Sequence, residues 1–249
     1  MDWDLVISRN REILLRIVAA LMALAGIGEG ENPGNDARTL PRHRVNSIRR
    51  ILRAAESAAR RLVVIAAKDL ATIGLPEGVF MTGFDPDPSR RPAGTGAGQA
   101  GEVPVPAFAL TDPLKRFSFG PRPRRAKSFP RISFIGGAEP TPVPDGWYCL
   151  PDDELAAGPL CRRLVSLKNA LDDLDGQARR LARWQARRDR FLSAPLSCAS
   201  LAGAKGKPRS PLRTGPPPGH RKRPRHEVDE VLADLNWLAR DAIAPPNTS

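Results

Sequence analysis

Side chains able to do chemistry fall in a few short stretches of this 249-residue chain. The densest is a basic run, Arg221, Lys222, Arg223 and Arg225, inside the sequence HRKRPRH. A second set, Arg49, Arg50 and Arg53, lies within one and a half turns of a helical pattern. Clustered cations of this kind neutralise phosphate, releasing the counterions condensed on a nucleic acid. They also attract anionic lipid head groups, each contributing about 1 kcal/mol near a charged surface. These seven residues are the candidate anion contacts. No aromatic residues are interleaved with the C-terminal run, so it lacks the stacking platforms of a single-strand binder.

Other constellations carry less. Gly96, Gly98 and Gly101 match GxGxxG in letters only. That motif needs a strand before it and a helix after it to aim the helix N-terminus at a pyrophosphate, whereas prolines flank it here. Asp152, Asp153 and Glu154, and likewise Asp172, Asp173 and Asp175, are acid clusters. Acid/base work requires burial to push their pKa values apart, and a solvated helix face or dipole partner is the simpler reading. The LDDLDG stretch has the glycine of a calcium loop but not its alternating acids. His220 and His226 lack a third ligand for zinc. Cys149, Cys161 and Cys198 fit neither a disulfide framework nor a CxxC pair. With no nucleophile motif or phosphate loop present, the chain reads as a non-enzyme, with no catalytic, cofactor-binding or metal-binding residue and no cofactor.

Composition bounds what must position the arginines. Basic residues outnumber acidic ones 39 to 27, for a net charge of +12. Thirty-two of the basics are Arg and seven Lys, a bias that GC-rich coding also produces. Hydrophobic residues make up 41%, but aromatics only 5%. Much of the apolar content is alanine, so the core is thinner than the total suggests, since large side chains contribute most of the burial energy.

Periodicity predicts a mainly α chain of helices on Pro/Gly/Arg-rich linkers. Residues 1–80 form a helical hairpin. Its first helix contains the run ILLRIVAALMALAGI, apolar on all sides from Ile17 to Ile27. Burial against the next helix, membrane insertion and a signal peptide are the three readings of that run, in that order. Leu40 to Leu75 reads as the second helix, with apolar spacing of three and four from Val45 to Ala66 and a Gly74/Pro76 stop. Residues 81–150 are too rich in Pro and Gly for helices. At most a hairpin of Arg131–Ile135 with Gly146–Leu150 is expected there. Residues 151–195 hold a long helix over Asp152–Phe191, with Leu160, Leu164, Leu167, Leu171, Leu174, Ala178 and Leu181 in a seam of coiled-coil period. Residues 196–226 carry eight basic residues and no acid, with too little to bury for a packed structure. Residues 227–249 begin with an acidic helix, Glu227 to Ile243.

An apolar first helix followed by TLPR and RRILRAAESAARRLVVIAA, with NWLARDA near the C-terminus, resembles uncharacterised hypothetical proteins of GC-rich bacteria. The likeness covers roughly the first 75 residues plus the C-terminal motif. It implies no activity. The expectation is therefore an interaction or scaffold protein on the cytoplasmic side. It would hold a protein partner or a second copy through the Leu160–Leu181 seam, and in one version attach to the inner membrane through residues 12–28. A nucleic-acid-binding protein working through its arginines is the alternative.

Overall fold

The computed structural model describes residues 2–28, 38–68, 70, 105–113, 150–193 and 210–243. Five helices and a two-stranded ribbon follow in the order α1 (Trp3–Leu24), β1 (Thr39–Pro41), α2 (Arg42–Ala66), β2 (Glu154–Ala156), α3 (Gly158–Asp172), α4 (Leu174–Ser193) and α5 (Glu227–Ile243). The fold is mainly helical. The hairpin proposed for 131–135 and 146–150 lies outside the described residues, save for Leu150.

Helix α2 is the hub, packed against α1, α3, α4 and α5. Its first half is amphipathic, with Val45, Ile48 and Leu52 inward and Arg44, Asn46, Arg49, Arg50 and Arg53 outward. From Ala54 to Ile65 it is buried on every side, apart from partly exposed Glu56. Ala54, Ala55, Ala58 and Ala59 present so little bulk that neighbouring helices can close in from several directions. The alanine-rich core is thus a means of surrounding one helix.

The ends of α2 differ from the expected Leu40–Leu75. Thr39, Leu40 and Pro41 are strand, paired antiparallel with Ala156, Leu155 and Glu154. The helix begins at Arg42, whose N–H donates to Asp153 O at 2.8 Å, while the His43 N–H donates to Pro151 O at 2.8 Å. Carbonyls of a distant segment thus satisfy donors that a capping side chain would otherwise take. The helix ends at Ala66; the Gly74/Pro76 stop lies outside the described residues.

In α1, Leu14, Val18 and Leu21 are buried, followed by Ala25 and Ile27. The outward positions are largely small: Ala19, Ala20 and Ala23 beside Leu24. The run that is apolar on all sides therefore places its large side chains inward and alanines outward. Among the described residues no helix is long and apolar enough to cross a membrane.

The single helix expected over 152–191 is a strand and two helices. Residues 154–156 pair with β1, and α3 and α4 meet at Asp173, whose backbone leaves the helical region at φ −108° and ψ 57°. Both helix ends at the joint are capped. Arg11 Nε and Nη2 donate to Leu171 O and Asp172 O, each at 2.7 Å, a cation on the last carbonyls of α3. Asp173 Oδ1 accepts from Gly176 N at 3.1 Å, an N-cap for α4. The seam survives the break: all seven residues from Leu160 to Leu181 are buried against the chain's own helices. A partner seated there would have to displace that packing.

The sequence of 196–226 predicts no packed structure, and the described 105–113 falls in the stretch too rich in Pro and Gly for helices. Residues 105–113 and 210–226 follow defined paths over the helices. Leu212, Pro217, Pro218, Phe108 and Leu110 are buried. Arginine side chains from the helices replace ladder partners for the backbone carbonyls. Arg180 Nη2 donates to Phe108 O at 2.6 Å, Arg60 Nε to Ala109 O at 2.9 Å, and Arg240 Nη2 to Gly215 O at 2.6 Å. Composition identifies such segments as poor at building their own core, but it cannot say that a finished core will accept them.

Candidate anion-binding site

The exposed face of α2 opens into a cleft of about 590 Å³. Asn46, Arg49, Arg50 and Arg53 line one side, where the helix's first half is not covered. Pro113 comes from one irregular segment, Pro218 from the other and Arg163 from α3. Arg60 and Glu56 complete the lining, so five arginines meet one acid.

That acid is already engaged. Arg163 grips Glu56 with both arms of its guanidinium, Nε to Oε1 at 3.0 Å and Nη2 to Oε2 at 2.9 Å. Arg60 Nη2 stands 3.6 Å from the same carboxylate. Arg60 is further held by Ala109 O and by the ring of Phe108, whose centroid lies 5.6 Å from the guanidinium carbon. Arg49, Arg50 and Arg53 make no hydrogen bond or ion pair with the described residues. They face solvent and find no counterion among the described residues.

A buried cluster beneath the cleft fixes its walls. Arg61 is wholly buried and donates to Asn236 Oδ1 at 2.9 Å, Ser57 O at 2.7 Å, Ser57 Oγ at 2.6 Å and Asp112 Oδ2 at 3.0 Å. The second Asp112 oxygen has no hydrogen bond, and Arg60 Nη1 lies 3.7 Å from it. Burial pushes both guanidiniums below their ordinary pKa. Glu56 and Asp112 oppose this at Arg60, and Asp112 at Arg61. An arginine starting so high stays charged. Asp112 N also donates to Pro211 O at 2.9 Å. Asp112 Oδ2 accepts from Arg213 N at 3.4 Å as well, so one residue, through its backbone and its carboxylate, ties both irregular segments to α2 and sets Pro113 and Pro218 at the rim.

The strap that supplies Pro218 crosses α2 at Ala54, the residue after Arg53. Gly219 sits there at φ +86°, and a Cβ on it would lie 2.9 Å from the Ala54 backbone. The run Arg221, Lys222, Arg223 and Arg225 begins two residues later, and its side chains make no hydrogen bond or ion pair among the described residues. Two basic sets about 170 residues apart in sequence are thus linked through the contact of Gly219 with Ala54. Asn46, Arg60 and Arg163 were not among the candidates. Arg60 and Arg61 interrupt the apolar pattern between Ala59 and Leu62, which is the signal that marks them as buried. Nothing in sequence points to Arg163 or Asp112.

The other constellations have structural work. Asp153 pairs with Arg42 at 3.2 Å, and Glu154 Oε2 accepts from Thr39 Oγ1 at 2.8 Å. Asp173 caps α4. Cys161 is buried, and burial pushes its thiol up against the opposing pull of Arg38, the opposite of an activated nucleophile. Among the described residues no group of three or more His, Cys, Asp or Glu could hold a metal ion. A smaller concavity of about 290 Å³ near the C-terminal end of α2 is lined by Trp3, Asp4 and the acids of the α3–α4 joint.

No protein-family model matches the chain, and no curated protein or solved structure is significantly similar to it.

Proposed function

We propose that this protein is a non-enzymatic interaction protein that binds a polyanionic partner through the α2 cleft and the adjoining strap. The observation that carries this reading is the imbalance within the cleft. Its one acid is already held by Arg163 and Arg60, while Arg49, Arg50 and Arg53 have no partner among the described residues. Arginine suits the task because its planar fork matches two oxygens of a phosphate or carboxylate. Isolated exposed ion pairs contribute little, about 0–1 kcal/mol, so several must act together for useful affinity.

The test is retention on a polyanion matrix, read as the salt concentration needed for elution. The triple substitution Arg49→Ala, Arg50→Ala and Arg53→Ala is compared with Arg179→Ala, Arg183→Ala and Arg187→Ala on α4. Both remove three charges, but the α4 residues lie outside the cleft lining. The cleft variant should elute at clearly lower salt than the α4 variant. Equal elution would reduce the interaction to net charge and sink the proposal.

A further inference from the structure

We infer that the polyanion is a double-stranded nucleic acid, held by its phosphate backbone without base readout; this rests on the reading of the cleft as a polyanion site. The argument begins with spacing. Arg49 and Arg53 are one turn apart on α2, a rise of about 6 Å. Phosphates along one strand of a duplex recur at a fixed interval, so a rigid row of cations one helical turn apart can meet successive ones. Arg50 and Asn46 share that exposed face, and asparagine is among the neutral donors that contact phosphate and sugar. The carboxylates of an acidic peptide sit on mobile stems and offer no fixed repeat to a row of arginines.

Extent is the second observation. The basic strap reaches the cleft at its rim. The strap passes Pro218 at the rim and Gly219 against Ala54, then runs into Arg221, Lys222, Arg223 and Arg225. A small phosphate ligand would occupy the cleft alone, whereas a polymer can use both parts. The third observation separates duplex from single strand. Single-strand binders stack bases on exposed aromatic rings. The cleft lining contains none, and the nearby Phe108 is buried beneath Arg60. A cationic cleft lining without stacking platforms fits a backbone whose bases are already paired.

The experiment is fluorescence anisotropy of the full chain with a short mixed-sequence DNA duplex, the matching single strand, and a polyglutamate of equal charge, each across a salt series. The duplex should bind tightest. Its log–log salt slope should approach about −6 if all seven basic residues contact phosphate. Replacing Arg49, Arg50 and Arg53 together, or Arg221, Lys222 and Arg223 together, should flatten that slope by about three units each. The α4 triple variant should leave it unchanged, and circular dichroism checks that every variant keeps its helices. Preference for the single strand, or equal binding of polyglutamate with the same loss in the cleft variant, overturns the duplex inference while leaving the polyanion site standing. Equal flattening by the α4 variant, or no binding to any probe, overturns both.

Discussion

Asp112 Oδ2 lies 3.0 Å from Arg61 Nη2 with both side chains buried, 51 residues apart in the chain. The pair joins the hub helix to an irregular segment, and through Asp112 N to the strap. Removing one member of a buried pair strands the other without its counterion, at a cost of about 3–5 kcal/mol. Asp112→Ala should therefore lower the urea midpoint sharply. Pairing it with Arg61→Met should recover part of the loss, because the stranded charge goes too. A double variant as unstable as the sum of the singles would show that the two do not act together.

Gly219→Ala should loosen the strap. Its φ of +86° is a left-handed conformation, unfavourable for a residue with a Cβ by about 1–2 kcal/mol. The added carbon would also press on the Ala54 backbone, which cannot swing aside. Limited proteolysis within 210–226 should accelerate while far-UV circular dichroism changes little. Proteolysis at the native rate would mean that the strap tolerates the side chain and is not held by close approach.

Gly176 carries a contrasting expectation. Read as an ordinary helix interior, Gly176→Ala would stabilise α4 by about 1 kcal/mol. Its position in the first turn changes the sign of part of that gain. A Cβ would come within 2.1 Å of the Asp173 carboxylate and dislodge a cap that contributes about 1 kcal/mol. The net shift in stability should be close to zero. Asp173→Ala alone should cost about 1 kcal/mol. In the Asp173→Ala background, Gly176→Ala should become stabilising, which thermal melts of the four proteins would reveal.

Cys161 supplies a pH dependence. Its folded thiol holds the proton to higher pH than the unfolded chain does, since burial disfavours the thiolate. The unfolded state therefore loses that proton first, and stability falls as pH rises past the ordinary thiol range of about 8.5. Below that range both states are protonated and the contribution is constant. Denaturant midpoints should drop on the alkaline side by more in the wild type than in Cys161→Ala. Native protein should react slowly with a thiol reagent at Cys161. Matching alkaline slopes in the two proteins would remove the thiol from the account.

Much of the helical framework could be read without coordinates. Glu227–Ile243 has the same bounds in both readings, because an acidic first turn and an apolar stripe are local signals. The structure adds a reach-back by Asp229, which accepts from Arg225 N and His226 N at 3.0 and 3.3 Å. The seam from Leu160 to Leu181 was legible as an apolar line, but the break at Asp173 was not. Its pattern passes through the joint unchanged, and the cap and the Arg11 contact that stabilise the break are visible only in three dimensions. Arg49, Arg50 and Arg53 could be picked out as a cationic face; Arg163 could not, since its place in the cleft depends on α3 lying beside α2.

What the amino-acid sequence determined by itself was most of the helical segments, the inward faces of α2 and of the Leu160–Leu181 seam, and the positive charge, all properties of neighbours within a few turns. Tertiary structure alone decided that α2 would be surrounded, that 105–113 and 210–226 would lie on it, and that the strap leading to the second basic set would cross α2 beside the first. The physical reason lies in where the irregular segments find their partners. Lacking periodic apolar faces, they cannot specify their own structure. They are ordered by Arg60, Arg180 and Arg240 donating to their carbonyls and by Asp112 meeting Arg61, contacts that exist only once the helices have assembled.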